Sequence, residues 1–197
     1  MDSEPKDDEL IAGIGRGEES ALVELMRRHK EAVFRFSYRY LNNEADSAEA
    51  TEETFFKVYQ NADRFKPKAA PKTWIFTIAR NVARDRLRRN QRHRKTLALD
   101  AQVDGEDSAL PLTEKTDSGE RSPSEHLQSN DDLKRIRKEV SSLPEKLRFP
   151  FVFCTLEGNS YDECAEILRT SRKTVETRIY RARQALKRQL SPFLEKS

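Results

Sequence analysis

An all-α fold, two small helical domains joined by a flexible acidic linker, is what this 197-residue sequence predicts, and three observations carry the prediction. Apolar residues recur at spacings of three and four along most of the chain, the period of one buried helix face. Six glycines and no hairpin signal between alternating strands argue against a β-rich fold. Helical periodicity then vanishes over 96–125, where eight acids stand against two bases among scattered Ser, Thr, Gly and Pro. Hydrophobic and charged residues each make up 36% of the chain, lean for one globule but suited to small domains on a solvated tether. The predicted boundaries are 1–95, 96–125 and 126–197.

Taken in order, Asp7–Ile14 is a short amphipathic helix that stops near Gly15–Gly17. A long helix follows Ser20, with Leu22, Val23, Met26, Val33, Phe34, Tyr38 and Leu41 as its apolar stripe and Asn42–Asn43 as its end. Phe34, Phe36, Tyr38 and Tyr40 alternate as in a strand, but the surrounding period is helical and these aromatics read as core. Glu44–Ala62 is a third helix whose acids, Glu44, Asp46, Glu49, Glu52 and Glu53, crowd the early turns, where the helix dipole is positive. Its acid-rich half has little to pack against, which suits either a solvated face or docking on a basic partner. Two prolines and three lysines in Arg64–Lys72 rule out a regular helix there and make a stiff basic loop.

Trp74–Arg94 follows as a helix with Trp74, Ile75, Ile78, Val82, Ala83 and Leu87 on its seam. Asn81, Arg84 and Arg88 lie three and four residues apart, on a common side. From Arg64 to Lys95 there are twelve Lys and Arg against one acid, Asp85, whereas Met1–Asp63 holds eight bases and fifteen acids. A chain of net charge +3 has thus gathered its positive charge in one place, the footprint of a nucleic-acid surface.

Beyond the linker, whose thirty residues would span about 30 Å as a coil and up to about 100 Å stretched, helices resume at about 126–142 and, after a turn at Pro144, at 145–156. Ser160 with Glu163 forms a capping-box pattern for Tyr161–Leu168. Arg169–Thr170 is a tight turn, and Ser171 caps Arg172–Gln189, with Val175, Ile179, Ala182 and Leu186 inward. Arg172, Lys173, Thr174, Glu176, Thr177, Arg178 and Arg181 fall in its first three turns. A short helix, a turn and a longer basic helix read as helix-turn-helix, the second helix entering a DNA major groove. Arg pairs bidentately with guanine there, and Glu176 can accept from a cytosine amino group.

Other chemistries find little support. Cys154 and Cys164 lack a CxxC spacing or a neighbouring His and read as buried reduced thiols of a cytoplasmic protein. His29, His93 and His126 are scattered, so no metal or other cofactor is expected. No nucleophile–base pair or phosphate-binding Gly loop points to an enzyme. The acidic N-terminus is no signal peptide, and no apolar run approaches the roughly 18 residues a membrane insertion needs.

Two unlike basic heads on one tether do not suit an ordinary dimeric repressor. The chain resembles the extracytoplasmic-function (ECF, group 4) sigma factors of the sigma-70 family, two-domain promoter-specificity subunits of RNA polymerase. The resemblance covers about residues 8–95 and 126–190 and rests on SAEATEETFFKVYQNADRF, on KTWIFTIARNVARDRLRR and on LPEKLRFPFVFCTLEGNSYDECAEILRTSRKTVETRIYRARQALKRQL. It implies that 1–95 is sigma region 2 and 126–197 the sigma region 4 helix-turn-helix. Glu49, Glu52, Glu53 and Phe56 would dock on the clamp helices of core polymerase, with a further contact at its flap. Phe65, Lys66, Lys68, Lys72, Thr73, Trp74, Asn81, Arg84 and Arg88 would hold the non-template strand of the −10 element, one base flipped into a pocket. Trp74 would either stack on a base or pack in the core. Arg172–Arg183 would read the −35 element as duplex, the acidic linker would thread the RNA exit channel or serve as a plain tether, and an anti-sigma factor would hold the protein inactive.

Three positions depart from the family pattern. Glu49-Ala50 stands for an acidic-Leu pair, Glu52 for a Gln, and the usual Gly of the helix-turn-helix turn is replaced near Arg169, at a cost if the backbone there stays left-handed. The competing readings are a homodimeric helix-turn-helix repressor or activator that uses only the C-terminal head, and a helical adaptor with no salt-linked DNA binding.

Overall fold

Helices account for all the regular structure among residues 4–66, 70–103 and 125–194, the residues described by the computed structural model. Four helices form the N-terminal set: α1 (Asp7–Gly15), α2 (Glu19–Leu41), α3 (Glu44–Asn61, followed by a 3-10 turn at Ala62–Arg64) and α4 (Pro71–Val103). The C-terminal set is α5 (Glu125–Ser142), α6 (Glu145–Pro150) with a π-helical turn at Phe151–Leu156, α7 (Tyr161–Leu168) and α8 (Arg172–Leu194).

The ends of these helices follow local chemistry. Asn42 closes α2 in the left-handed conformation, at φ 53°, which Asn tolerates better than most residues. Asn43 then caps α3, its side-chain oxygen accepting from the Asp46 N–H at 2.8 Å. Pro71 opens α4 at a position where a missing N–H costs nothing. Within α2 the alternating aromatics are helical, as expected: Phe36 and Tyr40 stack on the buried side at 5.6 Å, and Phe34 and Tyr38 pair on another at 6.3 Å.

Two elements differ from their expected form. The reversal of charge after Lys95 does not end α4, which continues to Val103. The intervening residues include Leu and Ala, good helix formers, and a change of charge is no stop signal. Residues 104–124, most of the expected linker, lie outside the described residues. The expected helix 145–156 changes character at Pro150, which brings no N–H; beyond it the ring widens, with the Glu157 N–H reaching the Val152 carbonyl five residues back.

The two helical sets are packed together. Phe36 of α2 meets Phe149 edge-on at 5.7 Å, Phe76 of α4 meets Phe153 at 5.2 Å, and Phe149 stacks on Phe153 at 5.3 Å. All four rings are buried and belong to one continuous apolar core. Arg148 reaches into the same junction, its guanidinium 5.4 Å from the Tyr40 ring and donating twice to the Leu143 carbonyl. Burial pushes the Tyr40 phenol up to about 12, although the nearby Arg148 charge pulls the other way.

Candidate nucleic-acid interface

The basic helix α4 buries Ile75, Phe76, Ala79, Val82 and Ala83 and so turns Asn81, Arg84 and Arg88 away from its own bundle. Asn81 lines a cleft of about 370 Å³ between α3 and α4, together with Lys57, Asn61, Arg64, Trp74 and Asp85. Trp74 is half-buried: it packs on Phe65 at 5.1 Å and also forms a wall of this cleft. Phe65 is half-buried, Lys66 exposed, and Lys68 lies outside the described residues. Thr73 is buried at 3% exposure, which places it behind the surface rather than on it. Lys57 and Asn61 were not singled out from the sequence; their place at the end of α3 beside Asn81 is a tertiary fact that spacing does not reveal.

Several cations of α4 are already engaged. Arg84 pairs with its neighbour Asp85 at 3.1 Å. Arg88 reaches Glu145 of α6 at 3.1 Å, and Arg80 lies 4.0 Å from the same carboxylate and 5.3 Å from the Phe149 ring centre. Lys72, at the start of α4, lies 3.1 Å from Glu163 of α7. Burial lowers the pKa of the Arg80 guanidinium, with repulsion from Arg84 adding to it. Glu145 and Glu163 come from the other helical set and are invisible to sequence spacing.

The second head is built as the sequence suggests. Ser160 accepts from the Glu163 N–H at 3.1 Å while Glu163 accepts from the Ser160 N–H at 2.8 Å, closing the capping box of α7. Arg169 takes the left-handed conformation (φ 50°, ψ 51°), so the turn keeps its geometry despite a side chain. Ser171 accepts from the Thr174 N–H at 3.2 Å and starts α8. Val175, Ile179, Ala182 and Leu186 are buried, which leaves Arg172, Lys173, Glu176, Thr177 and Arg181 exposed and Thr174 and Arg178 half-buried. Arg172 is fixed by Asp162 at 2.8 Å and Glu176 at 3.2 Å.

On α3, Glu49, Glu52, Glu53 and Phe56 share a face at helical spacing, and Phe56 is 59% exposed. Tyr59 continues this face at 51% exposure. Glu49 is held by Arg86 at 2.6 Å and Glu53 by Lys57 at 3.5 Å, while Glu52 borders a groove of about 550 Å³ with Met26, Lys30 and Phe34 of α2. Cys154 and Cys164 are free and buried, and Cys154 lies 3.7 Å from the Ser160 carbonyl. Among the described residues no group of His, Cys, Asp and Glu is placed to hold a metal ion, and no helix is long and apolar enough to cross a membrane.

A helical set with a basic helix and an acidic face, followed on the same chain by a helix-turn-helix, is the arrangement expected of a sigma factor. Residues 25–93 match the family model of sigma-70 region 2, and 133–186 match that of sigma-70 region 4. Among relatives, the chain is 29% identical to the ECF RNA polymerase sigma factor SigW of Bacillus subtilis, over 91% of this chain and 94% of that one. It is equally 29% identical to the ECF RNA polymerase sigma-E factor of Escherichia coli over the full length of both. The fold is similar to that of CnrH in complex with the cytosolic domain of CnrY (TM-score 0.67, 24% identity, 94% of this chain and 97% of that one). It is also similar to that of the Bartonella quintana sigma factor RpoE in complex with the anti-sigma factor NepR (TM-score 0.56, 21% identity, 85% and 95%). The chain belongs to the ECF group of the sigma-70 family and is an RNA polymerase sigma factor.

Proposed function

We propose that this chain directs core RNA polymerase to its promoters from the cytoplasm, with region 2 capturing the −10 element, region 4 reading the −35 element and no catalytic step of its own. The observation that carries this is the pairing, on one chain and in this order, of the Asn81 cleft with an outward-facing α8. The cleft has a ring wall in Trp74, amide groups in Asn61 and Asn81, and cations in Lys57 and Arg64, which suit one unstacked base and its phosphate. Lys66, Lys68, Lys72, Arg84 and Arg88 would then follow the strand as phosphate contacts, with Thr73 supporting them from inside. On α8, Lys173, Glu176, Thr177 and Arg181 are exposed together, in the geometry for duplex readout.

The α3 face around Phe56 would dock on the clamp helices of core polymerase: a bare aromatic ringed by carboxylates suits a basic helical partner. The groove of about 790 Å³ along α8, lined by Leu143, Leu147 and Tyr180, would receive the polymerase flap. Both structural neighbours were solved with a second protein bound, RpoE with an anti-sigma factor, and an anti-sigma partner is proposed for this chain too.

Run-off transcription by core polymerase on a promoter library, with and without this protein, tests the reading. Sequence-selective start sites that vanish in an Asn81→Ala/Arg84→Ala variant are expected. Absence of core binding together with tight binding to a palindromic duplex would replace this reading with that of a dimeric repressor.

A further inference from the structure

We propose that Cys154 and Cys164 are a site of reversible oxidation, where a hydroperoxide joins them in a disulfide that ties the π-helical turn to α7. They are the two cysteines of the chain, both free and buried, and promoter recognition gives them no part. Ten residues separate them in sequence, yet the fold brings their sulfurs into hydrogen-bond contact. The turn between them is held from both ends. Asn159 donates to the Phe153 carbonyl through its N–H at 3.2 Å and its side-chain amide at 2.9 Å. The Ser160 carbonyl accepts from the Cys164 N–H at 3.2 Å and from the Cys154 thiol at 3.7 Å. A single buried cysteine is ordinarily a small apolar filler. Two sulfurs in contact, gathered around one carbonyl, are already placed to bond.

The two thiols are not equivalent. The Cys164 hydrogen bond favours a thiolate on Cys154 and holds its pKa down, with burial acting against it. The same contact and burial push the Cys164 thiol far up. Cys154 also keeps 7% of its surface exposed, whereas Cys164 keeps none. Cys154 is therefore the attacking thiol and Cys164 the one that resolves. The Cys154 thiolate attacks one oxygen of the hydroperoxide: an S–O bond forms, the O–O bond breaks, and the leaving oxygen departs with the Cys154 proton. Cys164 then attacks the sulfenic sulfur: the S–S bond forms, the S–O bond breaks, and water leaves with the Cys164 proton. Two electrons pass from the sulfurs to one peroxide, and a thiol reductant returns them. A covalent bond is shorter than the hydrogen bond it replaces, so closure draws α7 towards the π-helical turn. Cys164 lies near enough to α8 for the Arg178 charge to act on it, so this shift reaches the helix proposed to read duplex. The chemical step is independent of the promoter reading; its effect on duplex binding rests on that reading.

The test treats the full chain with hydrogen peroxide, quenches it in acid, alkylates it unfolded and digests it with trypsin. Trypsin cuts after Arg148 and Arg169 and nowhere between, so residues 149–169 leave as one peptide carrying both cysteines. The expected peptide is two hydrogen atoms lighter than the reduced one, takes up no alkylating agent, and reverts with dithiothreitol. Two alkylated thiols after peroxide, or oxygen adducts without a disulfide, overturn the proposal. Single variants test the division of labour. Cys164→Ala is expected to stop at a Cys154 sulfenic acid that dimedone traps, and Cys154→Ala to leave Cys164 unoxidised at the same dose; equal oxidation of the two overturns it. Duplex binding is read on a labelled duplex selected with the reduced chain. Oxidation is expected to weaken it about tenfold, reversibly, with no effect in Cys154→Ala. Undiminished binding by the fully oxidised chain overturns the link to α8. Failure of the reduced chain to bind any duplex sinks the promoter reading instead, because the peptide mass decides the disulfide separately.

Discussion

α4 and α8 are both basic helices, and they meet their surroundings in opposite ways. On α8 the ion pairs of Arg172 are local, to Asp162 and Glu176, and Lys173, Thr177 and Arg181 face outward. On α4, Arg80 and Arg88 are tied to Glu145, fifty-seven residues beyond Arg88 in sequence. The difference teaches that the head proposed to read duplex can be complete within one supersecondary unit, because rigid DNA comes to a preformed helix. The face proposed to capture a strand has cations, a cleft and an aromatic wall that stay attractive to any anion, including one from the same chain.

The largest effect is expected at the aromatic junction. Phe76→Ala empties a buried position against Phe36 and Phe153, at 5.8 and 5.2 Å, and is expected to cost about 3–5 kcal/mol. Thermal unfolding measures the loss. If α4 and the C-terminal set are coupled as the contacts indicate, the transition also splits in two, whereas the same cost in a single transition would tie Phe76 to its own bundle alone.

Tyr40 offers a smaller, pH-dependent probe of the same junction. Its phenol is raised in the folded chain to about 12 from a usual 10, chiefly by burial. A group whose folded pKa is raised stabilises the fold below the unfolded value and loses that contribution as pH climbs through the folded one. Stability is therefore expected to decline between about pH 10 and 12, by about 2–3 kcal/mol at most from this group. Ultraviolet titration of wild type against Tyr40→Phe isolates the late-titrating phenol. Drawing the sets apart is expected to bring it back towards 10, whereas α8 offers no such reporter.

The outward side of α8 is then expected to answer to single substitutions. Arg181→Ala should weaken binding to a selected −35 duplex by about 1–3 kcal/mol if the side chain reaches a base edge. If it reaches only phosphate, the loss is uniform across sequences and the salt slope falls by about one. Gel-shift titration at three salt concentrations separates the two. The Glu145→Gln variant is expected to bind this duplex as wild type does.

The two regions were also unequally legible in the sequence. For α8, the buried positions, the capping box and the turn are all set by near neighbours, and Val175, Ile179, Ala182 and Leu186 are inside as their spacing requires. For α4, the seam was readable but its partners were not: Glu145 sits in the set beyond the linker, and no periodicity connects it with Arg88. Thr73 illustrates the same limit, since a hydroxyl beside a basic loop reads as a contact and is in fact buried. The π-helical turn after Pro150 was missed because apolar spacing is nearly the same in a helix of slightly wider pitch. Nor did the charge reversal near Lys95 mark the end of α4, because charge pattern and helix propensity are separate signals.

Arg169 gives the smallest expected effect and the sharpest control. A β-carbon in the left-handed region costs about 1–2 kcal/mol, and glycine there costs more unfolded-chain entropy, so the two partly offset. Arg169→Gly is expected to raise stability by at most about 1 kcal/mol. The turn already has the geometry that glycine would adopt, and its N–H contacts to Ala165 and Glu166 come from the backbone. Duplex affinity should therefore stay within about twofold, or roughly 0.4 kcal/mol, as measured by the same gel-shift titration. A larger fall would mean that the Arg169 side chain itself touches DNA, which would extend the −35 face from α8 into the turn.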